Sequence, residues 1–133
     1  MENSLSQFLY LSLFTVLYCV TTAFSIALLG NKNLIQGNLF QISNIITLIT
    51  NWRFLGSMFL AVLSRLSFVL INNTLIKIPY LAGAATTVSV FITLISLVFI
   101  LVVNRYYLQE TLNLKQCIGA LIVMMGIFIM LYK

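Results

Sequence analysis

The sequence predicts an all-α protein, a bundle of four transmembrane helices with an amphipathic helix between spans one and two. Of its 133 residues, 62% are hydrophobic and 7% are charged, against about 25% charged residues in ordinary globular chains. Four long apolar stretches each approach the roughly 20 helical residues that cross a hydrocarbon core about 30 Å thick. Aromatic residues lie near the ends of these stretches, as they do at membrane interfaces: Tyr10, Trp52, Tyr80, Tyr106, Tyr107 and Tyr132.

Polar residues and a proline set the limits of the four spans. Within a single membrane domain, 1–133, the spans are predicted at 8–30, 54–73, 81–104 and 114–132. Pro79, the only proline, separates the second span from the third, and Asn104 with Arg105 ends the third. We expect Thr111 or Asn113 to cap the N-terminus of the fourth. Helices are the expected form of each span, because lipid satisfies no backbone N–H or C=O group.

Residues 34–50 have a different pattern. Apolar side chains recur there every three or four residues, and Gln, Asn, Ser and Thr occupy the other faces. The recurring side chains are those of Ile35, Leu39, Ile42, Ile46 and Ile49. This spacing predicts an amphipathic helix that lies on the membrane or extends the second span. Packing of its apolar face against a partner is an equally good interpretation.

Charge and composition exclude several classes of function. The net charge is +5, but the basic residues are too dispersed for the clustered patch that nucleic-acid binding requires. They are Lys32, Arg53, Arg65, Lys77, Arg105, Lys115 and Lys133. Without His or Asp, and without a Gly-rich phosphate loop, no enzymatic activity, cofactor or metal site is predicted. Cys19 and Cys117 lie inside apolar runs, where we interpret them as packing residues.

Arg65 is the charge that the predicted topology explains least well. It is the twelfth residue of the second span, so its Cα is expected near the bilayer centre, where Arg costs about 2.5–3.5 kcal/mol on insertion scales. The only acids, Glu2 and Glu110, lie outside the spans. Because a guanidinium binds phosphate or carboxylate through a bidentate fork, we expect Arg65 to receive an anionic group that crosses the membrane. The alternatives are that Arg65 extends toward the headgroups or that the span is misregistered by one turn.

Spans one and three each carry a stripe of small polar side chains with spacing 3, 4, 3. The stripes comprise Ser12, Thr15, Cys19 and Thr22 in span one, and Thr86, Ser89, Thr93 and Ser96 in span three. These faces would line a cavity shared with Arg65, or would bond to their own helices and join helices together. The predicted substrate-binding residues are Arg65, Asn72, Thr15, Thr22, Thr86, Ser89 and Thr93.

Two glycines of span four share one helical face, because Gly119 and Gly126 are seven residues apart. Small residues let helices approach closely where lipid supplies no hydrophobic driving force. We expect this face to pack between subunits, with packing inside one subunit as the alternative.

The C-terminal half resembles the drug/metabolite transporter superfamily. The resemblance rests on NRYYLQETLNLKQCIGALIVMMGIFIML at 104–131, where Glu110 is followed by Leu112, Gly119 and Gly126, and on IKIPYLAGAA at 76–85. It covers residues 52–132 well and 1–51 poorly. The resemblance implies a two-fold assembly, as a homodimer or as a heterodimer with a related small membrane protein, that works by alternating access.

Within that superfamily the chain is similar in size to two kinds of protein. Small multidrug resistance exporters carry a Glu in span one, whereas this chain has no acid between Phe8 and Gly30. The other kind comprises subunits that flip a lipid-linked sugar, such as aminoarabinose-phosphoundecaprenol, and these lack that acid. The resemblance therefore favours a multi-pass flippase subunit of the inner membrane, with membrane lipids and an anionic amphiphilic substrate as partners. A cation exporter and a non-transporting subunit that stabilises a membrane enzyme are the alternatives.

Overall fold

A computed structural model of the protein describes residues 2–32, 34 and 40–131, and all regular structure in that part of the chain is helical. The helices are α1 (Glu2–Leu29), α2 (Ile42–Thr50), α3 (Trp52–Ile76), α4 (Ala85–Leu94), α5 (Ser96–Tyr107) and α6 (Leu114–Leu131), with a short 3-10 turn at Ala82–Ala84. The predicted all-α class is confirmed for these residues.

Three helical stretches are long and apolar enough to cross a membrane, which is consistent with an integral membrane protein. They are Leu5–Leu29, Trp52–Ile76 and Ala82–Tyr107, and they contain most of the predicted spans one to three. α6 has 18 residues and is therefore about 27 Å long, slightly less than the hydrocarbon thickness. The fourth crossing and the dimer remain predictions, and the predicted end of span four, residue 132, lies outside the described residues.

Side chains next to the helix starts explain where two of the helices begin. The Asn51 side-chain oxygen accepts a hydrogen bond from the backbone N–H of Arg53 at 2.9 Å, which caps α3. At α6, the Gln116 side-chain oxygen accepts from the backbone N–H of Asn113 at 2.9 Å, as in half of a capping box. Pro79 lies in the turn between α3 and the 3-10 segment.

The third span consists of two helices that meet at Ile95. On the N-terminal side, the hydroxyl groups of Ser89 and Thr93 donate to the carbonyl oxygens of Ala85 and Val90, at 2.8 and 2.7 Å. Such bonds from Ser and Thr to the preceding turn favour bends. The stripe of hydroxyl groups thus coincides with an interruption that apolar periodicity does not reveal.

α1 and α3 are antiparallel and form the centre of the bundle, since Thr22 meets Ser64 while Ser25 meets Ser57. Small side chains fill their interface: Cys19, Ala23 and Ala27 on α1, and Ser57, Ser64 and Ser67 on α3, all buried. Gly30 lies against Leu108, so α1 and α5 finish at the same end of the bundle.

The amphipathic helix is shorter than predicted. α2 begins at Ile42, and Leu34 lies in a turn, so the predicted start at 34 is wrong. Residues 35–39 lie outside the described part. None of the α2 side chains is buried, and Ile42, Ile46 and Ile49 are all exposed. Its apolar face is therefore open to lipid or to a partner, as either interpretation requires.

If α6 crosses the membrane, reporters fused after Leu112 and after Lys133 will lie on opposite sides. Alkaline phosphatase should be active at one position, and green fluorescent protein should fluoresce at the other. Fusions after Asn51 and after Tyr80, on either side of the longer apolar helix α3, serve as the comparison for one change of side. The same reporter activity at Leu112 and Lys133 would contradict a fourth span.

The α1–α3 interface has no room for a larger side chain at Ser57, which is 0% exposed. We expect Ser57→Leu to lower the free energy of unfolding in micelles by about 1–3 kcal/mol through overpacking. Met58→Leu is the matched control, because Met58 is 50% exposed and the change conserves volume. Equal effects of the two substitutions would contradict the tight interface.

Candidate functional site

Arg65 lies at the middle of α3. It is the fourteenth of the 25 residues of Trp52–Ile76. A helix centred across a hydrocarbon core about 30 Å thick would place this Cα about 15 Å from either edge. Trp52 at the start of the helix and Tyr80 beyond its end are exposed aromatic side chains, as expected at the two interfaces.

The Arg65 side chain points away from the interface between α1 and α3. It is exposed and lines a shallow, open apolar groove of about 340 Å³ that side chains of α3 alone form on the outer face of that helix. The groove is otherwise lined by Met58, Ala61, Val62, Leu66 and Val69. Arg65 therefore lies outside the core of the single chain, in a groove open to the surrounding lipid or to another molecule.

No described residue neutralises the Arg65 guanidinium. Among residues 2–32, 34 and 40–131, it makes no hydrogen bond and no ion pair. The preceding residue, Ser64, turns the other way and shares a 2.6 Å hydrogen bond with Thr22. An exposed charge amid hydrocarbon is unfavourable, and no described residue offsets that cost.

Asn72 and Ser89 are brought together by the structure, at the contact between α3 and α4. The Ser89 hydroxyl donates to the Asn72 side-chain oxygen at 3.3 Å and to the Ala85 carbonyl at 2.8 Å. Ser89 is fully buried. Asn72 thus joins two helices, although a spacing of seven residues predicts the same face for Asn72 and Arg65.

The remaining predicted hydroxyl groups are dispersed. Thr15 and Thr93 donate to the carbonyl oxygens of Leu11 and Val90, each at 2.7 Å, and Thr86 is exposed beside the 3-10 turn. None of these threonines lines the groove that contains Arg65. The rest of the two stripes is divided as well, with Ser12 exposed and Cys19 and Ser96 buried.

Sequence reasoning missed the pair of serines that exchange hydrogen bonds between α1 and α3. The hydroxyl groups of Ser25 and Ser57 each donate to the other residue's carbonyl oxygen at 2.9 Å, and the two hydroxyl oxygens are 3.2 Å apart. Ser57, Ser64 and Ser67 are spaced by seven and three residues. That spacing places the three serines on one face of α3 and could have indicated a polar contact with another helix.

Gly119 and Gly126 face open space. A methyl group at either position would have no described neighbour within 4 Å, apart from the helix itself. An apolar gap of about 350 Å³, which Leu97, Leu101 and Met124 help to line, separates α6 from α5. The described chain thus supplies no partner for the glycine face, which leaves it available to another molecule.

Glu110 lies exposed in the loop between α5 and α6. Its backbone carbonyl accepts from the Arg105 guanidinium at 3.4 Å, and Gln109 before it has a left-handed φ of 54°. The interactions of Glu110 therefore shape a loop and do not place an acid in the span. Cys19 and Cys117 are both free thiols.

Comparisons with known protein families, with curated proteins and with solved structures find no match to this chain.

The central position of Arg65 is measurable through membrane insertion. In a translocon assay on the 52–76 segment, Arg65→Leu should make the apparent insertion free energy more favourable by about 3 kcal/mol. Arg53→Leu is the control, because Arg53 is in the first turn of α3 and reaches the interface. Changes of equal size would show that Arg65 is not near the bilayer centre.

Proposed function

We propose that this chain is a subunit of a transporter of the drug/metabolite kind in the cell inner membrane. Its substrate is an anionic amphiphile, such as a lipid-linked sugar, and its mechanism is alternating access about a midplane site. One observation carries the proposal: a guanidinium at the centre of α3 lies in an apolar groove and has no partner among the described residues.

The chemistry of the groove suits an anionic amphiphile. Arg65 supplies a permanent positive charge and a planar set of donors that match phosphate or carboxylate oxygens. The neighbouring side chains, Val62, Leu66 and Val69, are apolar and more than half exposed, so a hydrocarbon chain can lie along them. A bound anion would offset the cost of the charge, and the hydrocarbon would remain in lipid.

The open side of the groove supports assembly with a second subunit. A single chain does not enclose the Arg65 groove, and a path that excludes lipid needs another wall. A second copy or a related small membrane protein would provide it. The unoccupied face of Gly119 and Gly126 offers a place where two α6 helices can approach closely.

A second candidate is a non-transporting subunit that stabilises a membrane enzyme. The apolar gap between α5 and α6 and the exposure of Ile118, Ile122 and Met125 favour it, since these features serve any apolar partner. This candidate assigns no role to Arg65.

The two candidates differ in their dependence on Arg65. In liposomes that contain the purified protein and a fluorescent polyprenyl phosphate, we expect transport to move the probe from the inner to the outer leaflet. Dithionite added outside then quenches the probe that has been moved. Arg65→Gln should slow this transport about tenfold or more, because losing one partner of a buried charge pair costs about 2 kcal/mol or more. Arg65→Lys should give an intermediate rate, since it keeps the charge without the bidentate fork.

Arg53→Gln is the matched control, because it removes the same charge from the first turn of the same helix. Transport that is equally fast with Arg65→Gln would contradict the proposed role of Arg65. Absence of transport by the wild-type protein, alone and with co-reconstituted membrane proteins, would favour the non-transporting subunit.

A further inference from the structure

A second polar site lies at the opposite end of the α1–α3 pair from Trp52. The first turns of α1 and the last turns of α3 form a cleft of about 420 Å³, called here the Lys77 cleft. It is lined by Gln7, Tyr10, Phe14, Leu70, Asn73 and Lys77, among others. Lys77 is twelve residues beyond Arg65, or about 18 Å along the axis, so the cleft is distinct from the Arg65 groove.

Polarity changes with depth in the Lys77 cleft. On α1, Gln7 precedes Phe14 by seven residues. Lys77, the first residue after α3, follows Leu70 by seven, and both separations are about 10 Å. Because the helices are antiparallel, both polar residues lie at the mouth and both apolar residues lie toward the membrane interior. An amphiphile with a polar headgroup and a hydrocarbon chain has the same gradient.

The side chains at the mouth have donors to offer a ligand. Lys77 and Asn73 are exposed, and the side chains of Gln7, Asn73 and Lys77 make no hydrogen bond within the described part of the chain. Deeper in the cleft, the Thr74 hydroxyl already donates to the Leu70 carbonyl at 2.8 Å. The unused donors are therefore concentrated at the mouth, around one positive charge.

An aromatic pair forms one wall of the cleft. The rings of Tyr10 and Phe14 are stacked, with centroids 6.3 Å apart and planes inclined by 18°. Tyrosine is typical of the level of the lipid headgroups, which places the mouth of the cleft at that level. The wall thus extends from the headgroup region into the hydrocarbon.

We infer that the Lys77 cleft binds an anionic phospholipid, with its phosphodiester at Lys77 and one acyl chain against Phe14 and Leu70. Lys77 donates to the phosphate oxygens, and the amides of Gln7 and Asn73 donate to phosphate or headgroup hydroxyl oxygens. A neutral headgroup gains less from the single charge. This inference does not depend on the proposed transport, since the cleft belongs to one chain and excludes Arg65.

Native mass spectrometry of the purified protein with phosphatidylglycerol and phosphatidylcholine tests the inference. We expect tighter binding of phosphatidylglycerol, and Lys77→Gln should weaken it about fivefold, the change that corresponds to about 1 kcal/mol per basic residue near the surface. Lys115→Gln is the matched control, because Lys115 is an exposed lysine at the start of α6. Lys115→Gln should not change the affinity.

Three outcomes would overturn the inference. Equal weakening by Lys77→Gln and Lys115→Gln would indicate a general effect of surface charge. Equal affinity for the two lipids would indicate a neutral amphiphile. Displacement of the lipid by glycerol phosphate at equal concentration would assign the site to a soluble phosphate compound. Because Lys77 is exposed, Lys77→Gln should keep its helical circular dichroism.

The double variant Gln7→Leu, Asn73→Leu, which keeps the charge, should also weaken phosphatidylglycerol binding.

Discussion

The close approach of α1 and α3 is the constraint on which the rest of the structure depends. In lipid, apolar side chains gain little by leaving their surroundings, so helices associate through small residues and hydrogen bonds between them. Ser25 and Ser57 exchange hydrogen bonds at 2.9 Å, and the alanines of α1 leave room for the α3 backbone. This pairing buries the face of each helix that carries small side chains, so the large apolar side chains point outward.

The orientation of Arg65 follows from that pairing. Ser64 faces α1, and the next residue along a helix is turned by about 100°, so Arg65 is directed toward the outer groove. A charge there forms no hydrogen bond or ion pair within the described chain, whereas the neighbouring apolar side chains are compatible with lipid. The presence of an arginine at this exposed position is the basis of the proposed anionic substrate.

The antiparallel arrangement also produces the Lys77 cleft. It aligns the polar start of α1 with the polar end of α3, although Gln7 and Lys77 are separated by about half of the chain. The result is an amphiphilic surface at one end of the helix pair, distinct from the Arg65 groove at the middle of α3. The same helix pair thus presents two positive groups at two depths, and each is suited to a phosphate in a different environment.

The sequence by itself determined the helical class, the approximate limits of the three long apolar helices and the central position of Arg65. These properties depend on local composition, on Pro79 and on residue counting, which need no knowledge of neighbours. The tertiary structure alone decided that Asn72 contacts Ser89, that Thr15 and Thr93 bond within their own helices, and that Arg65 is directed outward. Residue spacing defines faces of an isolated helix, but which face becomes buried depends on the complementary surface of another helix, and that surface lies far away in the chain.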